Sequence, residues 1–130
     1  MLKGGHKKMA KQKEKTIDFI EICAKFNRYL SAYFEDQDII VSPAMFFCDK
    51  KYPETCVYQV PALGKIKFRA NTPLGNYESE VFNDPNWLEI MRVCNEMLLA
   101  TDERKYIYLD DFAIVKKVDE VQIAEFIMEN

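Results

Sequence analysis

Lys65-Ile66-Lys67-Phe68-Arg69-Ala70 alternates apolar and basic residues without a break. Successive side chains of an extended chain point to opposite faces, so Ile66, Phe68 and Ala70 share one side and Lys65, Lys67 and Arg69 the other. The spacing predicts a half-buried strand with its cations in water, the pattern of an antiparallel sheet covered on one face only. The segment that follows, Asn71 to Asn76, contains Pro73 and Gly75 and reads as a turn; a short extended piece, Tyr77 to Phe82, comes after it.

Two helices flank this region. Asp84 is a candidate cap and Pro85 suits a first turn, where its missing N–H is no loss. Trp87, Ile90, Met91, Cys94 and Leu98 then recur on one stripe, opposite Glu89, Arg92 and Glu96, and the helix is expected to end between Thr101 and Arg104. Earlier, from about Thr16 to Glu35, Phe19, Ile22, Phe26, Leu30 and Tyr33 recur at helical spacing. Between this helix and the Lys65 strand, Ile39 to Cys48 reads as an edge strand broken at Ser42 and Pro43, because proline cannot donate to a central ladder. Asp49 to Thr55 reads as a loop and Cys56 to Val60 as a further strand.

The tail alternates from Lys105 through Leu109, meets Asp110 and Asp111, and resumes from Phe112 to Lys116: a long strand with a bulge at the acidic pair. Val121 to Met128 fits a last strand, the favoured reading, and also a helix face. The expected architecture is α+β: an antiparallel sheet of about five strands with two helices packed on one face, in the order α-β-β-β-α-β-β. Residues 1–15 are expected to form a flexible basic arm, and residues 16–130 one domain.

Composition supports a folded body, since 48% of residues are apolar and 13% aromatic, including 9 Phe and 7 Tyr. The net charge of −3 is unevenly placed: the first fifteen residues hold six lysines against Glu14 alone, which leaves the body acidic. No apolar run has the length of a signal peptide's core or a membrane span, so a cytoplasmic protein is expected, with its four cysteines reduced. Cys23 and Cys94 sit within helical patterns as small hydrophobes, whereas Cys48 and Cys56 could face each other across a hairpin.

Several chemistries lack their parts. His6 is the sole histidine and no cysteine pair has zinc-site spacing, so neither a bound metal nor a His-assisted nucleophile is expected. With 4 Gly, none clustered in the body, neither a phosphate loop nor a dinucleotide fingerprint can be written. No cofactor is expected. Three candidate sites remain. Tyr33, Phe34, Phe46, Phe47 and Tyr52 offer more aromatic bulk than a small core needs, and point to a non-enzymatic protein-interaction or regulatory module, partner unidentified, which includes self-association as a homodimer. Lys65, Lys67 and Arg69, with the basic arm, could instead hold nucleic-acid phosphates, although cations also cover the wet face of an ordinary sheet. Asp110 and Asp111 could serve carboxylate-dependent catalysis only if a bulge turned both to one side.

Overall fold

The computed structural model describes residues 21, 24–34, 37–44 and 57–130. Among these, two helices and four strands follow in chain order: helix α1 at residues 24–33, β1 Lys65–Thr72, β2 Gly75–Asn83, α2 Trp87–Thr101, β3 Tyr108–Val118 and β4 Val121–Glu129. The α+β class is as expected, but the sheet is mixed and has four strands, in the order β2-β1-β4-β3.

Each half of the sheet is an antiparallel hairpin. β1 pairs with β2 and β3 with β4; the two hairpins meet where β1 runs parallel to β4, with Phe68 beside Ala124. The parallel pairing follows from the connection: after α2 and β3, the chain returns alongside β1 rather than at the edge of its hairpin. The β3–β4 turn is two residues long, with Asp119 and Glu120 both at positive φ (49° and 70°), as the right-handed twist of a tight hairpin demands. Where β1 begins, Gly64 at φ +100° donates its N–H to Asp84 Oδ1 (2.5 Å), and Asp84 N–H returns a bond to Gly64 O (2.9 Å). A Cβ on Gly64 would lie 2.9 Å from Gln122 Nε2.

The helix after β2 starts two residues later than expected. Asn86, not Asp84, is the cap: its Oδ1 accepts from Glu89 N–H (2.9 Å), while Glu89 Oε1 accepts from Asn86 N–H (3.2 Å), a reciprocal capping box. α2 ends at Thr101 with Asp102 in the left-handed conformation.

Both helices share one apolar cluster with the inner face of the sheet. Phe26 and Leu30 of α1, together with Phe34, meet Leu88, Met91, Cys94 and Leu98 of α2 and Leu109 of β3. The stripe on α1 thus runs in four-residue steps to Phe34, which is 1% exposed, and Tyr33 lies at the surface with 44% of its area in water. A second cluster gathers Ile66, Phe68, Ile90, Val93 and Ala124. At its centre Phe68 stacks on Phe126 (ring centroids 5.0 Å apart) and takes the rings of Phe112 and Phe82 edge-on. Cys94 is fully buried with Sγ 3.6 Å from Met128 Sδ, and burial pushes its thiol pKa up.

Residues 39–44 do not form the expected strand. The reason is Asn95, a fully buried residue of α2. Its Oδ1 accepts from Ile40 N–H (2.7 Å) and Val41 N–H (3.1 Å), and its Nδ2 donates to Asp38 O (2.8 Å) and Gln37 Oε1 (3.3 Å). The backbone bonds a side chain where it would otherwise bond a ladder. Only Ser42 reaches the sheet, as an isolated bridge to Tyr108: Ser42 N–H donates to Ile107 O (2.9 Å) and Leu109 N–H to Ser42 O (2.8 Å). The expected strand at Cys56–Val60 is replaced over residues 57–60 by a turn leading into irregular chain. The basic arm, Phe46, Phe47, Tyr52, Cys23, Cys48 and Cys56 lie outside the described residues.

Candidate protein-binding edge

β3 is an edge strand, and its two halves differ. Its first residues are met from outside by Ser42, as above. Beyond Leu109, among the described residues, no backbone group other than those of β4 bonds it. From Ala113 to Val118 every residue is exposed; Ile114, Val115 and Val118 each leave more than 40% of their area in water. α2 packs mainly over β2 and β1 and reaches β3 at Phe112, whose ring meets that of Trp87 edge-on at 5.7 Å. Among the described residues the result is an aliphatic strand bare along its open side, the arrangement to which a further strand can add.

Two bulges shape this edge. The register against β4 slips between Leu109 and Asp111 and again between Ile114 and Lys116, which leaves Asp110 and Val115 as the extra residues. The first is the bulge expected at the acidic pair. The alternation on either side assigns faces: Phe112 and Ile114 lie opposite Phe126 and Ala124, on the helix side, whereas Asp111, Ala113 and Lys116 lie opposite Ile127, Glu125 and Ile123, on the outer side. Phe112 N–H donates to the neighbouring Asp111 Oδ1 (2.8 Å). Asp110 and Asp111 are both exposed and border neither of the cavities described below.

The three cations of β1 do face outward, but two are engaged. Lys67 Nζ lies 2.5 Å from Glu78 Oε1 of β2, and Arg69 Nε 3.0 Å from Glu125 Oε2 of β4. The hydrogen bond and charge of Lys67 hold the Glu78 carboxyl below the ordinary glutamate range. Such cross-strand pairs contribute to the sheet and, among the described residues, leave Lys65 as the member of the trio without an ion pair.

Of the aromatic candidates within the described residues, Phe34 is core and cannot contact a partner. Tyr33 is half exposed and packs edge-on against Phe34, at 5.3 Å between centroids. It borders a polar cleft with Tyr77, Glu80, Arg92 and Glu96. There Tyr77 Oη donates to Glu96 Oε2 (3.2 Å), and burial first, then the Glu96 charge, pushes the phenol pKa up.

An apolar groove of about 400 Å³ opens between the β1–β2 turn, the end of α2 and β4. Leu74, Met97, Leu98, Tyr106, Phe126 and Met128 line it, with Arg69, Glu103 and Glu125 among its polar residues. Sequence reading passed over both the groove and the β3 edge. The groove's outer walls are Leu74 and Tyr106, 60% and 46% exposed, the first in a stretch that reads as a turn and the second in one that reads as the start of a strand. The free edge has no local signal, because strand order decides it.

Comparison with protein-family models, with curated proteins and with solved structures finds no match. Among the described residues no helix is long and apolar enough to cross a membrane, and no three His, Cys, Asp or Glu residues are grouped to hold a metal ion.

Proposed function

We propose that the protein is a non-enzymatic interaction module that binds a protein partner by strand addition along the open side of β3. The observation that carries this reading is the exposure of Ala113–Val118 on an edge strand whose aliphatic side chains neither described helix covers. Main-chain hydrogen bonds would supply affinity, and the exposed Ile114 and Val115 the apolar contact. The nucleic-acid alternative at Lys65, Lys67 and Arg69 has less support, since Glu78 and Glu125 already oppose two of those charges. Catalysis at Asp110 and Asp111 has less too, because the pair lies at an exposed edge, not in a cavity.

The full chain, immobilised and exposed to an extract of its native host, is expected to retain a specific protein, identified by mass spectrometry. Ile114→Glu with Val115→Glu should reduce that retention at least tenfold while lowering the thermal midpoint only by a few degrees, since both side chains are already about two-fifths exposed. Equal retention by both chains would contradict strand addition at β3.

A further inference from the structure

We infer that the open edge of β3 pairs antiparallel with β3 of a second copy of this chain, joining two four-stranded sheets into one across a two-fold axis at Ala113. This rests on the strand-addition reading and names its occupant.

The argument is the charge order along the strand. The free stretch reads Asp110-Asp111-Phe112-Ala113-Ile114-Val115-Lys116-Lys117: an acidic pair, an apolar centre, a basic pair. An antiparallel neighbour of the same sequence sets the acidic end of one copy against the basic end of the other, on both sides of the axis. A parallel neighbour in register would set like charges together.

The faces must also agree, because a two-fold axis normal to the sheet keeps each side chain on its own side. Regular alternation would fail this test: counting equally from Ala113 puts Asp111 opposite Val115, not Lys116. The bulge corrects it. With Val115 as the extra residue, Lys116 returns to the outer face, which Asp111 shares. Phe112 then lies opposite Ile114 of the second copy on the helix side, and Asp111 opposite its Lys116 on the outer side. Asp110, the extra residue of the other bulge, falls between the levels of Lys116 and Lys117. A bulge ordinarily discourages edge pairing; this one sets the opposite charges face to face.

The limits of the pairing agree with the rest of the fold. Ser42 occupies the edge at Ile107–Leu109, so an incoming strand can pair only beyond it, where the charge pattern begins. The other edge strand, β2, could not pair with itself in this way: its middle carries Glu78 and Glu80, and a two-fold there would bring four carboxylates together.

Sedimentation of the full chain over a wide concentration range should show a reversible dimer of twice the 15.3 kDa monomer, weakened by salt because its charge pairs are exposed. Lys116→Glu with Lys117→Glu should raise the dimer dissociation constant roughly tenfold or more, and Asp110→Lys with Asp111→Lys likewise. Mixed in equal amounts, these two variants should form a heterodimer, because one is acidic and the other basic at both ends of the strand. That rescue also shows that each variant folds. A wild-type chain that is monomeric throughout, or a dimer untouched by both reversals, would overturn the inference. Neither result bears on the broader reading, which falls only if retention of a host protein is indifferent to Ile114→Glu and Val115→Glu.

Discussion

Phe68→Ala is expected to lower the free energy of unfolding by about 3–5 kcal/mol, read from the denaturant midpoint at unchanged slope. Phe68 is fully buried, and its ring meets an aromatic residue from each of the other three strands. Phe82 comes from β2, Phe112 from β3, and Phe126, stacked on it, from β4. Removing the ring leaves a space that three other aromatic residues, each fixed to its own strand, cannot close by a shared shift. It also weakens the seam at which the two hairpins meet, since Phe68 lies beside Ala124 in the parallel pairing. Phe82→Ala should cost less, because Phe82 is only half-buried on the outermost strand. A loss near 4 kcal/mol is a large part of the 5–15 kcal/mol typical of one domain.

Asn95→Ala should destabilise the chain by about 2–4 kcal/mol in the same measurement. The side chain makes four hydrogen bonds at a fully buried position, and its carboxamide oxygen alone serves the amides of Ile40 and Val41. The alanine variant strands those donors, Val41 in particular being 1% exposed, with nothing to replace the acceptor. Gln37→Ala removes only one of the four bonds, from a half-exposed residue, and should cost about 1 kcal/mol or less. A local consequence accompanies the global one. Residues 38–41 lead directly to Ser42, so loosening them should speed hydrogen exchange at Leu109, whose amide Ser42 O accepts.

These two residues also mark how far the sequence could be read. The strand around Phe68 and the helix from Trp87 to Thr101 were legible because a period of two or of three to four residues records which face is buried. Asp110 announced its bulge by interrupting an alternating run. Residues 39–44 misled, since an apolar β-favouring run carries no sign that a distant amide will take its backbone donors. Phe34 misled in turn: a stripe can end at Tyr33 or Phe34 with equal periodicity, and packing against α2 chose Phe34. The parallel meeting of β1 and β4 joins residues more than fifty positions apart and has no local signature, so neither the strand order nor the open edge it creates could be foreseen. The basic strip was legible as a wet face. The pairing of Lys67 with Glu78 is local to the β1–β2 hairpin, whereas that of Arg69 with Glu125 depends on the unread strand order.

Beyond Leu109 the edge of β3 is unpaired among the described residues, and a paired edge protects amides that an open edge does not. Hydrogen exchange of the full chain, followed residue by residue from dilute to concentrated solution, tests the claim most directly. Amides of Asp110–Lys117 that do not bond β4 should exchange freely when dilute and become protected on concentration, with those of β2 unchanged. Exchange along β3 that is the same at every concentration, or protection that appears on β2 instead, would contradict self-pairing at β3.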